Sequence, residues 1–342
     1  MRAARFTAPG APLEIVSIDR PEPGPGEALV RVRAVALCGS DLHIIEGHTP
    51  TAFTPIVLGH EIAGVVERTD DGADHHVIAG DHVFVNPMVG CLTCRFCRAG
   101  QANLCSRRKI LGIQLDGALA EYVVAPVANL TVVPKHVGFP EIALIESAGT
   151  ANHAVRTLDA AAGEVIAVIG AGGLGLQAVR LAVARGAQVV ALDTDPVARR
   201  RCLDAGALAA LDPTSPGALA QVLDAAGRPD GLDGVVDCVG FGATFTTALR
   251  MLRINGHCAV VGIGAEPLML TAPAHFMRRA LRVSGIYGYT AADIAEVASR
   301  LVDGSLDLRA SISAVLPLDQ VNEGLRMFAD REGSPVRVVV EP

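Results

Sequence analysis

The sequence predicts an α/β protein in two parts: a β-rich domain built mainly from the N-terminal portion, and a doubly wound parallel-sheet domain. Over roughly the first 130 residues, short segments of β-like character are separated by Pro and Gly. From about Glu141 the texture changes to long Ala- and Leu-rich stretches alternating with short Val and Ile runs, the pattern of βαβ units. A glycine-rich turn at 170–175, set between one such run and one such stretch, marks where a strand hands over to a helix.

Taken in order, "EALVRVRAVA" from Glu27 to Ala36 alternates in character and puts Arg31 and Arg33 on one face, as a half-buried strand requires. "PIVLGHEIAGVVER" and "DHVFVNP" continue in that style. In the second part, strands are expected at Val165–Ile169, Gln188–Leu192, Gly234–Cys238 and His257–Val261, with helices between them, in a sheet covered on both faces. A helix at Ala291–Val302 follows, and the closing "VRVVVEP" is β-like and suited to return to the first domain. No internal repeat, low-complexity tract or long linker interrupts the chain.

With 342 residues, half of them hydrophobic, the chain can bury two cores. Its formal charge of -7, with Lys and Arg scattered, excludes the basic stripe of a nucleic-acid surface. No uninterrupted apolar run has the length of a membrane span, and "MRAARFTAPGAPLEIV" lacks a signal peptide's apolar core, so no membrane partner and a cytoplasmic location are expected.

Gly170, Gly172 and Gly175 have GxGxxG spacing, with Gly173 and Leu174 between, directly after an apolar strand and before a helix with no breaker until Gly186. Such glycines permit a tight turn, let a pyrophosphate approach bare backbone, and allow close helix-to-strand packing. The next strand ends at Asp193, eighteen residues beyond Gly175. Its carboxylate can accept hydrogen bonds from an adenosine ribose and repels a 2′-phosphate, which favours NAD over NADP. Arg199, Arg200 and Arg201 stand one turn into the following helix, where one of them bending toward the ribose would weaken that preference.

The cysteines are unevenly placed. Cys91, Cys94, Cys97 and Cys105 form CxxCxxCx7C, which suits one closed, structural all-thiolate zinc site, with Arg95, Arg98, Arg107, Arg108 and Lys109 available to offset its charge. A zinc finger for nucleic acid fits neither the single lobe nor the acidic chain. Cys38, His60 and Glu61, at the ends of two apolar runs, form a second set that is one ligand short. Three protein donors and one open position are what a catalytic zinc requires.

"CGSDLH", "GHE", "GCLTCRFCRAGQANLC" and "GAGGLG", in this order and spacing, resemble the zinc-dependent medium-chain dehydrogenase/reductase family, over essentially the whole chain. The resemblance implies a GroES-like catalytic domain (1–148 and 285–342, with a zinc lobe at 90–106), a Rossmann NAD(H)-binding domain (149–284), an active site in the cleft between them, and two zinc ions per chain. It implies that Cys38 and His60 are catalytic-zinc ligands and that Glu61 touches the zinc or stands behind it. It further implies Glu146 as the remaining ligand, in the place where polyol-type members carry a glutamate; those members usually follow it with Pro, whereas this chain has Ser147. Ser40 matches the hydroxyl of the family's proton relay, which ends at His43. The expected reaction moves a hydride between a secondary alcohol or polyol and NAD+, in a homodimer or homotetramer that meets near "HCAVVGIG" and "LRVSGIYG".

A zinc-free quinone or enoyl reductase of the same fold would lack both donor sets, and a non-enzymatic NAD-binding protein would have no use for an open zinc site with a serine beside it. Glu46, His48 and Phe53, with residues near His275 and Tyr287, are candidate pocket residues. No spacing rule selects the alcohol.

Overall fold

In a computed structural model, the residues described are 1–70, 76–264, 266–270, 273–330 and 335–342. They form two compact units, Met1–Glu146 with Thr290–Pro342, and Ser147–Tyr289. No described helix is long and apolar enough to cross a membrane.

In the first unit, the Glu27–Ala36 strand exposes Arg31 and Arg33, but the alternation holds only at its middle; residues 28–30 and 34–36 on either side are buried without a break. The reason is position. This strand pairs with Glu61–Thr69, Tyr122–Pro126 and Arg337–Glu341, all antiparallel, and so lies inside the sheet. Outward from Glu61–Thr69 come His82–Val85 and Leu130–Val132; on the other side Ile312–Pro317 pairs parallel with Arg337–Glu341. The closing segment therefore does return to the first unit, with Val338, Val339 and Val340 fully buried in it. A smaller sheet sets Arg2–Phe6 between Glu14–Ser17 and Ile56–Val57. A two-stranded ribbon, Met88–Val89 with Lys109–Ile110, supports the cysteine-rich loop.

The second unit holds six parallel strands among the described residues. Across the sheet they run Ala209–Leu211, Gln188–Leu192, Val165–Ile169, Leu232–Asp237, Leu252–Val260 and Arg282–Gly285. Counted in chain order within the unit this is 3-2-1-4-5-6, the Rossmann arrangement, whose switch point falls beside the Val165–Ile169 strand. That strand is buried at every residue, as a strand covered on both faces must be. The third and fourth expected strands exist but begin earlier, at Leu232 and Leu252. The outermost pair, Ala209–Leu211 and Arg282–Gly285, are short and at least partly exposed, and neither is among the strands expected from the sequence.

Candidate metal centres and nucleotide site

The open donor set is assembled by strand pairing. Ala36 stands opposite Glu61 in the antiparallel ladder, which brings the residues just after one strand next to those at the start of the other. Cys38 caps the Gly39–Ile45 helix, and its backbone N–H donates to Asp41 Oδ2 at 2.9 Å. Gly59 turns the chain into His60 at φ +92°, where an added Cβ would stand 2.9 Å from the Leu119 and Val35 side chains. The donor atoms of Cys38, His60 and Glu61 lie within 4.8 Å of one another.

Each ring nitrogen of His60 faces a polar side chain. Nδ1 is 3.4 Å from Asp41 Oδ1 and Nε2 is 3.1 Å from Ser40 Oγ. A carboxylate on Nδ1 leaves Nε2 for a metal, the usual way a second residue orients a ligating imidazole. Burial opposes charge on His60, but the Asp41 carboxylate and Cys38 outweigh it and raise its pKa well above the ordinary histidine range. Glu61, fully buried, accepts from Arg337 Nη1 at 3.0 Å, and Arg337 is buried as well. Glu146 lies outside the tight trio, yet burial and then the charge of Glu61 push its carboxyl up to about 7. Three buried carboxyl groups and a thiol thus face one buried arginine and one imidazole. Such an acid excess is costly without a cation, and thiolate, imidazole and carboxylate are zinc's usual donors, so the residues fit the ion.

Ser40 and His43 stand on the same short helix, Ser40 half-buried at the donor set and His43 exposed. The His43 ring meets the His48 ring edge-on with centroids 6.2 Å apart, and His48 Nδ1 is 3.2 Å from Glu46 Oε2 on the surface.

The four sulfurs of Cys91, Cys94, Cys97 and Cys105 also lie within 4.8 Å of one another, with Cys91 and Cys97 4.0 Å apart. Tetrahedral Zn–S bonds of about 2.3 Å place sulfurs about 3.8 Å apart, close to this spacing. The Thr93 hydroxyl and backbone pull the Cys91 thiol down to about 5, whereas burial and the neighbouring Cys94 push Cys97 up to about 11. Arg107 Nη2 donates to Thr93 Oγ1 at 2.7 Å, placing a cation beside the thiols.

In the second unit Gly170 takes φ +83°, and a Cβ on Gly175 would fall 1.7 Å from Gly170 O, so the helix sits directly on the turn. A Cβ on Gly172 would meet nothing within 4 Å; its backbone faces open space. Gly173 and Leu174 begin the Gly173–Ala184 helix, whose N-terminal amides suit a phosphate. Asp193 Oδ2 accepts from Ala171 N at 2.6 Å and Oδ1 from Asp195 N at 2.8 Å, tying the second strand's end to the glycine turn.

Two residues of the open set have no role assigned from the sequence. Asp41 had a signal, lying three residues past Cys38 at the third position of the capped helix. Arg337 had none, since 276 residues separate it from Glu61.

Residues 24–135 match the alcohol dehydrogenase GroES-like domain, and residues 173–303 the zinc-binding dehydrogenase domain. L-galactonate-5-dehydrogenase of Escherichia coli K12 is 34% identical over 299 residues, 86% of each chain. An NAD-dependent alcohol dehydrogenase of known structure superposes with a TM-score of 0.92 at 32% identity, covering 100% of both chains. A zinc-binding dehydrogenase from Sinorhizobium meliloti 1021 bound to NADP does so at 0.90 and 28% identity, covering 100% of this chain and 99% of the other. A GroES-like unit and a Rossmann unit in one chain define the class, two-domain oxidoreductases that use a nicotinamide coenzyme. The chain belongs to the zinc-dependent medium-chain dehydrogenase/reductase family.

Proposed function

We propose that this chain is a zinc- and NAD-dependent dehydrogenase that interconverts a secondary alcohol or polyol and its carbonyl product. The observation that carries the reading is the buried trio Cys38, His60 and Glu61, three donors within 4.8 Å in a pocket of excess acid. When bound, zinc supplies Lewis acidity toward the substrate oxygen and NAD+ accepts the hydride. Cys38 and His60 would hold the ion with Glu146 as the remaining ligand and Glu61 touching it or standing just behind it; Cys91, Cys94, Cys97 and Cys105 would hold a second, structural ion. Asp41 orients His60. Ser40 Oγ receives the alcohol proton and His43, at the exposed end of the same helix, returns it to solvent. Asp193 holds the adenosine ribose of NAD.

The likeness to a sugar-acid dehydrogenase favours a polyhydroxylated secondary alcohol, and Glu146 agrees with that class although Ser147 replaces the proline of polyol-type members. Self-association through the open edge of Arg282–Gly285, where Val283 is exposed, is the expected route to a homodimer or homotetramer. The test joins metal analysis to turnover. Near two zinc per chain is expected, with NADH formation on a panel of secondary alcohols, polyols and amino alcohols. Cys38→Ala should abolish turnover and remove one zinc while NADH binding survives; full activity in that variant would defeat the proposal.

A further inference from the structure

Arg199 is the first cation after Asp193, and its surroundings determine what it can do for a coenzyme. Its Nη1 donates to the Asp193 carbonyl oxygen at 2.7 Å and to that of Thr194 at 3.0 Å, and stands 3.4 Å from Asp212 Oδ2. The neighbouring Arg200 turns the other way, to Asp204 at 3.1 Å. Asp212 follows the Ala209–Leu211 strand, which pairs in register with Gln188–Leu192, so the two strand ends deliver Asp212 and Asp193 to the same edge. Asp212 is held in place: its Oδ1 accepts from Thr214 N at 2.9 Å and from Thr214 Oγ1 at 2.6 Å, leaving Oδ2 for the guanidinium.

We propose that Asp212 is a coenzyme-selectivity residue, which holds Arg199 against the Asp193–Thr194 backbone and so withholds that guanidinium from a 2′-phosphate on the adenosine ribose. The proposal rests on the reading of the 170–175 turn and Asp193 as the coenzyme site. Two carboxylates, Asp193 and Asp212, then meet a dianionic phosphate where one arginine is already engaged. Arg199 and Asp212 are partly exposed, with side chains 23% and 31% accessible, so their attraction is modest and a single charge change is enough to redirect the arginine. A phosphate is the better partner for a freed guanidinium, because it accepts two parallel hydrogen bonds.

Titration calorimetry with 5′-AMP and with adenosine 2′,5′-bisphosphate on the full chain tests this without any turnover. The wild-type chain should prefer AMP. Asp212→Asn should raise bisphosphate affinity relative to AMP by roughly three- to tenfold, and Asp212→Asn with Arg199→Met should lose that gain. Arg199→Lys, which keeps the charge without the fork, replaces the methionine if that variant does not fold and should lose most of the gain. An unchanged ratio in Asp212→Asn, or a gain that survives removal of Arg199, overturns the proposal while leaving the coenzyme site intact. Failure of the wild-type chain to bind AMP at all would overturn both.

Discussion

At the scale of single residues, the open donor set depends on side chains that are not themselves donors. Asp41 is fully buried and serves two neighbours, the Cys38 N–H and the His60 ring. Asp41→Asn keeps the shape but removes the charge that fixes which imidazole nitrogen stays free. Loss of such an outer partner typically weakens metal affinity by about 10- to 100-fold. Chelator competition on the variant should therefore strip one zinc per chain at lower chelator concentration, with the second zinc unaffected. Equal retention of both would mean that His60 is oriented by something else.

At the scale of elements, the fully buried Val165–Ile169 strand runs into a glycine turn on which the next helix sits at close range. Gly175→Ala drives a methyl into Gly170 O, and the helix must lift off the turn. NADH fluorescence should show coenzyme affinity falling by at least about tenfold, since the phosphate-facing amides move with the helix. At the other end of the same strand, Asp233 accepts from Val165 N at 2.7 Å and from Arg253 Nε. Burial pushes the Asp233 carboxyl upward, but these two donors outweigh it and hold its pKa below the ordinary aspartate range. A folded-state pKa below the unfolded one favours the charged form in the fold. The stabilisation is complete above the unfolded value and is lost as pH falls through the lowered one. Glu164 beside it shifts upward, burial first and then Asp233 raising it, and so works in the opposite sense. Urea midpoints of Asp233→Asn should be lower than wild type at pH 7 and converge with it below about pH 4; a constant offset down to pH 2 would remove the charge from the explanation.

At the scale of the whole molecule, the first unit is closed by its last strand. Arg337–Glu341 lies between the Glu27–Ala36 and Ile312–Pro317 strands, buries three valines fully and supplies the partner of Glu61. Those valines alone contribute about 5–8 kcal/mol of burial, comparable to the net stability of a typical domain. Truncation before Arg337 should unfold the first unit, seen as loss of both zinc ions and of the cooperative thermal transition. A truncated chain that keeps two zinc ions would show that the strand is dispensable.

Much of this architecture is legible in local spacing. The βαβ texture, the glycine turn with Asp193 after it, the four-cysteine loop and the Cys38, His60 and Glu61 set can all be read from residues near one another in the chain, because strand periodicity, turn chemistry and close ligand spacing are short-range properties. The central position of the Glu27–Ala36 strand, the Arg337 beneath Glu61 and the Asp212 hold on Arg199 were decided by tertiary structure. Each depends on strand pairing or on charges that meet across long stretches of chain, and a buried carboxylate finds its partner through the sheet order, which local pattern does not encode.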